Sequence, residues 1–144
     1  MKRLTIISLL LCTITGSVIA GGVHPVAHSK IPKPIQKSVL LNYKAKDVLI
    51  STCKKEIGRV DYTLVMSDET IVVYDDKGLL REAKNSKGLK DGLIPPTLLE
   101  YVQKSFPNAT ITEYEYERSK QTVTLNDKIE LVFDKRGNFL RLDD

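Results

Sequence analysis

Apolar and polar positions alternate in two different rhythms along this chain, and the same succession of rhythms occurs twice. Ile35, Val39, Leu40 and Tyr43 are spaced as on one face of a helix. Pro32 and Pro34 suit its first turn, where a backbone N–H has no intrahelical partner. This predicts a helix over about Pro32–Tyr43. A period of two follows: Val48–Lys55 is β-rich, and Val60–Met66 puts Tyr62, Leu64 and Met66 on one face. Thr70–Tyr74 and Leu79–Ala83 flank Asp75-Asp76-Lys77-Gly78, a hairpin turn. The first succession therefore reads as a helix and then four antiparallel strands.

The second begins at Ile94-Pro95. At an offset of 63 residues, Leu98, Val102 and Phe106 repeat Ile35, Val39 and Tyr43, which predicts a helix over about Pro95–Ser105. Pro107 ends it. Ala109–Arg118 alternates, with Glu113, Glu115 and Glu117 on one side and Tyr114 and Tyr116 on the other. Thr122–Leu125, Ile129–Phe133 and Phe139–Leu142 complete four strands. Here the offset is 59: Tyr74, Asp75 and Gly78 recur as Phe133, Asp134 and Gly137. The loss of four residues is assigned to the first β-turn, where loop length changes at little cost.

An internal repeat of this kind sets the expected architecture. The fold class is read as α+β: a tandem duplication of a helix plus a four-stranded antiparallel meander. The two sheets lie side by side with both helices on one face. The organisation expected is a signal peptide at 1–20, a flexible N-terminal tail at 21–30, a first αβ4 repeat at 31–84, a linker at 85–93 and a second αβ4 repeat at 94–144. The linker rests on Gly, Asn, Ser and Lys crowded into Asn85–Gly92.

Composition then narrows the compartment. Lys2-Arg3, the apolar run Leu4–Ile14 and the small residues ending at Ala20 have the form of a secretory signal. Export to the periplasm or beyond follows, with no stable transmembrane segment once the signal is cleaved. Lipid anchoring through Cys12 is the alternative, although Leu11 is larger than a lipobox accepts. Of 22 basic residues, two leave with the signal, so the net charge of +4 falls by two. Without a basic stripe, nucleic acid is not an expected partner. Only Cys53 would remain, so no intrachain disulfide is expected.

Candidate chemistry is sparse. His24 and His28 have zinc-compatible spacing, but Pro25 lies between them and no further ligand is near. Cys53 has no histidine in the predicted folded part to act as a base. The Asp-x-x-Gly turns lack the alternating ligands and final Glu of a calcium loop. Asp75, Gly78, Asp134 and Gly137 are accordingly read as structural turn residues, the Asp capping and the Gly supplying positive φ. Glu113, Glu115 and Glu117 stand at carboxylate-pair spacing, yet glutamates on a strand usually make a solvated face. No catalytic residue, metal or cofactor is assigned, and the protein is not read as an enzyme.

Tyr114, Tyr116 and Arg118 are the candidate partner-binding residues, because tyrosines bring large amphipathic area to recognition surfaces. If the tyrosines face away from the helices they form a binding face; if they face them, they are core.

The segments Phe106-Pro107-Asn108-Ala109-Thr110-Ile111 and Val132-Phe133-Asp134-Lys135-Arg136-Gly137-Asn138-Phe139 resemble the PepSY-like, β-lactamase-inhibitor-like family, known from secreted proteins of the Bacteroidetes type. The first repeat departs from that pattern at Lys44 and Lys46, where the second has Pro107 and Ala109. The resemblance implies two αβ4 units in a secreted, non-enzymatic binding protein. The function expected is a non-catalytic binding module of inhibitor-like type, recognising an unknown protein partner through the open sheet face. A sensor of a small molecule, metal or glycan is the alternative.

Overall fold

The computed structural model describes residues 22–144. The expected signal peptide and Cys12 lie outside the described residues. Nine strands form one antiparallel sheet in which every strand pairs with its neighbours in sequence. They are β1 (Val23–Pro25), β2 (Val48–Glu56), β3 (Arg59–Met66), β4 (Ile71–Asp75), β5 (Leu80–Lys84), β6 (Ile111–Glu117), β7 (Lys120–Leu125), β8 (Ile129–Asp134) and β9 (Phe139–Asp143). Two helices accompany them, α1 (Lys33–Leu40) before β2 and α2 (Pro96–Ser105) before β6.

The expected α+β arrangement of two four-stranded sheets side by side is thereby corrected. The protein is mostly β, and its sheet is continuous. β5 pairs with β6 through Glu82–Glu115, Ala83–Tyr114 and Lys84–Glu113. The segment that follows β5 continues the seam. Asn85 N donates to Thr112 O (2.9 Å) and Leu89 N to Ile111 O (2.8 Å). Pairing the two inner edges satisfies backbone groups that separate sheets would leave as open edges.

The flexible tail is corrected too. Val23, His24 and Pro25 lie opposite Lys54, Cys53 and Thr52, so they cover the outer edge of β2.

The register fixes which residues share a face. Leu64, Val72, Ala83, Tyr114, Val123 and Leu131 stand in one row from β3 to β8, each opposite the next. All six are buried. Ile35 and Val39 of α1 pack on the β3–β5 end of this face, and Leu98 and Val102 of α2 on the β6–β8 end. Leu80 and Leu89 pack against both clusters.

The first hairpin of each half also shows where the repeat shortens. Cys53 faces Tyr62, while Tyr116 faces Gln121. The β6–β7 hairpin is therefore four residues tighter than β2–β3.

Each Asp-x-x-Gly turn closes against the start of a helix. Asp75 Oδ1 accepts from the N–H groups of Lys77 and Leu79, at 3.0 and 2.9 Å. Asp134 Oδ1 accepts from those of Arg136 and Asn138, at 2.8 and 2.9 Å. Gly78 and Gly137 have φ of 84° and 87°. A Cβ on Gly78 would come within 2.8 Å of Pro34, and one on Gly137 within 2.5 Å of Thr97 Oγ1. Ser38 Oγ on α1 donates to Gly78 O at 3.0 Å.

Candidate functional site

Among the described residues, no helix covers the other face of the sheet. Its residues alternate with the core row. Thr63, Val73, Glu82, Glu115, Thr122, Val132 and Arg141 form one line from β3 to β9. Lys84, Glu113, Thr124, Glu130 and Asp143 form the next. The β5–β9 part of this face forms a hollow of about 610 Å³. Lys84, Glu113, Glu115, Glu117, Lys120 and Glu130 are among its lining residues.

Charges in the hollow are incompletely matched. Lys84 Nζ lies 3.4 Å from Glu113, and Arg141 Nε 3.0 Å from Asp143. Farther along the face, Arg59 pairs with Asp61 at 2.6 Å. Among the described residues, neither Glu82 nor Glu115 has a cation in ion-pair contact. Burial raises the Glu82 carboxyl above its usual range, and Glu113 adds to the effect. Burial also raises Glu115, followed by the charges of Glu82, Glu117, Glu113 and Glu130. Both remain partly open to solvent.

The predicted binding residues separate. Tyr114 is on the helix-covered face, 5% exposed, and its OH donates to Gln121 Oε1 at 2.9 Å. Gln121 Nε2 in turn donates to Asp134 O (3.1 Å), so Tyr114 is tied through Gln121 to the β8–β9 turn. Tyr116 shares that face and lies half-buried, with the Arg81 guanidinium 5.5 Å from its ring centre. Of the two placements open to the tyrosines, the helix-facing one is found: Tyr114 is core and Tyr116 borders it. Only Arg118, in the β6–β7 turn at φ 57°, lines the hollow.

Sequence reasoning did single out Glu113, Glu115 and Glu117 as one strand face. It missed Glu82, Lys84, Glu130 and Arg141, which belong to other strands. The Glu82/Lys84 alternation on β5 was a usable signal, but its neighbour across the sheet depends on the β5–β6 seam.

The remaining candidates do not converge. His24 lies opposite Cys53, which is buried and faces Tyr62 on its other side. Among the described residues, no group of three or more His, Cys, Asp or Glu side chains is placed to hold a metal ion. No helix among them is long and apolar enough to cross a membrane.

Comparison with known proteins decides the family. The model of the family described as "Putative beta-lactamase-inhibitor-like, PepSY-like" matches twice, over residues 19–82 and 60–141. The chain belongs to this PepSY-like family. No curated protein matches it.

Among solved structures, a Bacteroides thetaiotaomicron protein described as a "putative calcium-regulated periplasmic protein" is similar, with a TM-score of 0.77 and 20% identity over 85% of this chain and 97% of its own. A Bacteroides vulgatus protein described as a "putative periplasmic protein from DUF2874 family" has a TM-score of 0.77 and 18% identity over the same shares. A second B. vulgatus protein, described as periplasmic and of unknown function, gives 0.75 and 20%, over 85% of this chain and all of its own. At these identities the likeness is one of fold. The PepSY-like match points to no catalytic family.

Proposed function

We propose that the protein is an exported, periplasmic binding module without catalytic activity, and that its helix-free sheet face recognises a basic segment of a protein partner. The observation that carries this reading is the unpaired Glu82–Glu115 juxtaposition at the edge of the hollow, which Glu115 lines. Like charges directly opposite on neighbouring strands are destabilising, and a fold under selection for stability alone has no use for them. A lysine or arginine from a partner would relieve the repulsion, and the 610 Å³ hollow gives it room to enter. Complementary charge of this kind favours encounter and selects among partners. An inhibitor acts by binding, so the family's inhibitor-like description agrees with the proposal. Periplasmic placement is supported by the description of the three structural neighbours and by the signal-like N-terminus.

Crosslinked pull-down from the native envelope tests the reading, comparing the natural chain with the Glu82→Gln/Glu115→Gln double variant. Capture of a partner by the natural chain and its loss in the folded double variant is the expected result. Equal capture by both would refute it.

A divalent-cation sensor is the second reading, favoured by the calcium-regulated description of one neighbour. It requires a rise in melting temperature with millimolar calcium, since an ion that binds only the folded state stabilises it. The same double variant would abolish that rise.

A further inference from the structure

The two ends of the sheet are finished differently. β1 is three residues long and ends in Pro25, which has no N–H to offer a further strand. β9 has five residues, no proline, and three exposed apolar side chains: Phe139 at 39%, Leu140 at 49% and Leu142 at 46%. Short strands and prolines are usual devices that keep sheet edges from pairing, and β9 has neither.

Backbone direction on β9 follows from the turn before it. Asp134 N donates to Asn138 O at 2.9 Å. Hydrogen-bonding direction alternates along a strand, so Val132 also points its backbone groups at β9. Its partner there is Arg141, after an irregularity at Leu140. Arg141 and Asp143 therefore turn their N–H and C=O groups toward β8, and Leu142 turns its own outward. Among the described residues, no strand pairs with that side.

We propose that a second copy of this chain pairs antiparallel along β9, with Leu142 opposite Leu142 of the second copy, to form a two-fold dimer. Only registers that join outward-facing residues can bond. Pairing Leu142 with Leu142 sets Arg141 against Asp143 of the second copy, twice over. A shift of two residues, so that Leu142 meets Leu140 or Asp144, sets Arg141 against Arg141 or Asp143 against Asp143. Within one chain these two side chains already lie 3.0 Å apart on the same face, so the edge is complementary to itself. An isologous contact of this kind closes on itself and leaves only the blunted β1 edges exposed. The two-fold axis stands normal to the sheet, so both hollows open on the same side of one continuous sheet.

The strand contact is short against the area of a stable interface, so the dimer is weak and is sought over a concentration series. Sedimentation velocity of the exported chain should show concentration-dependent dimers. Asp143→Arg and Arg141→Asp should each be monomeric alone and should dimerise when mixed. Both positions are exposed, and circular dichroism would verify that each variant is folded. Leu142→Pro is the second probe: it removes an outward N–H while leaving the bonds of Arg141 and Asp143 to β8. A natural chain that stays monomeric at every concentration overturns the proposal. So does an Asp143→Arg or Leu142→Pro variant that dimerises like the natural chain.

Discussion

Glu82 on β5 and Glu115 on β6 face each other directly across the one seam that joins the two halves of the sheet. Each half could present one of these carboxylates harmlessly to solvent. Joining the halves brings them together, with Glu113 beside them and Lys84 drawn to Glu113 at 3.4 Å.

Replacing either glutamate by glutamine should therefore stabilise the protein at neutral pH, by the size of a like-charged cross-strand pair, about 0.2–1 kcal/mol. The pH dependence has a definite sign. A carboxyl whose folded value is raised above the ordinary 4.5 binds its proton more tightly in the folded state. Stability then falls as pH rises from that value through the raised one. The gain in melting temperature of Glu82→Gln or Glu115→Gln should be absent near pH 4, grow above it and level off. A gain that is constant with pH, or a loss at neutral pH, would contradict the repulsion.

Tyr114 should behave as a core residue. Tyr114→Phe keeps the ring but removes the donor to Gln121 Oε1. Leaving a buried acceptor unpaired costs about 1–3 kcal/mol. Tyr114→Ala should cost about 3–5 kcal/mol, as buried aromatic truncations do. Denaturant unfolding of both variants measures this, and Tyr116→Ala, at the border of the cluster, should cost less than Tyr114→Ala.

The face of Tyr114 illustrates what was legible beforehand. Alternation showed that Tyr114 and Tyr116 share one side of a strand and the glutamates the other. Which side meets the helices depends on register, and a shift of one residue exchanges the faces. The helical spacing of Ile35/Val39 and Leu98/Val102, and the turn pattern at Asp75–Gly78 and Asp134–Gly137, are local and could be read directly. The β5–β6 seam is not local. It forms between strands separated by Asn85–Leu93 and a whole helix, and no turn signal announces it. Asn85 looked like loop material, yet it is buried and donates to Thr70 Oγ1 at 2.9 Å and Asp68 O at 3.1 Å. The hollow became visible only once that seam was known.

Alkaline titration provides an independent check on the two cores. Tyr43, Tyr74 and Tyr114 each have their phenol pushed up to about 12, chiefly by burial. Their folded-state values lie above the ordinary 10.0, so each favours the folded protein less as pH rises from 10 toward 12. Near-ultraviolet absorbance should show tyrosines that resist ionisation at pH 11, released together with loss of the β-sheet signal. Tyr114→Phe should remove one of the late-ionising groups. An unfolding transition that trails ionisation of all six tyrosines would contradict the burial.

The turn glycines allow backbone strain to be separated from steric contact. Gly58, Gly78 and Gly137 all have positive φ, at 75°, 84° and 87°. Alanine at any of them adopts a left-handed backbone at about 1–2 kcal/mol. At Gly58 nothing lies within 4 Å of the added Cβ, so Gly58→Ala should cost that amount and no more. At Gly78 the Cβ would meet the Pro34 backbone at 2.8 Å, and at Gly137 it would meet Thr97 Oγ1 at 2.5 Å. Pro34 offers backbone atoms in the first turn of α1, which cannot rotate away. Thr97 offers a hydroxyl that can. Gly78→Ala should therefore be the most destabilising of the three, Gly137→Ala intermediate and Gly58→Ala mildest. Adding Thr97→Ala to Gly137→Ala should recover part of the loss, because it removes the clashing oxygen. Urea midpoints at constant m-value measure the series. Equal losses at all three glycines would mean that the turns do not press on the helix starts.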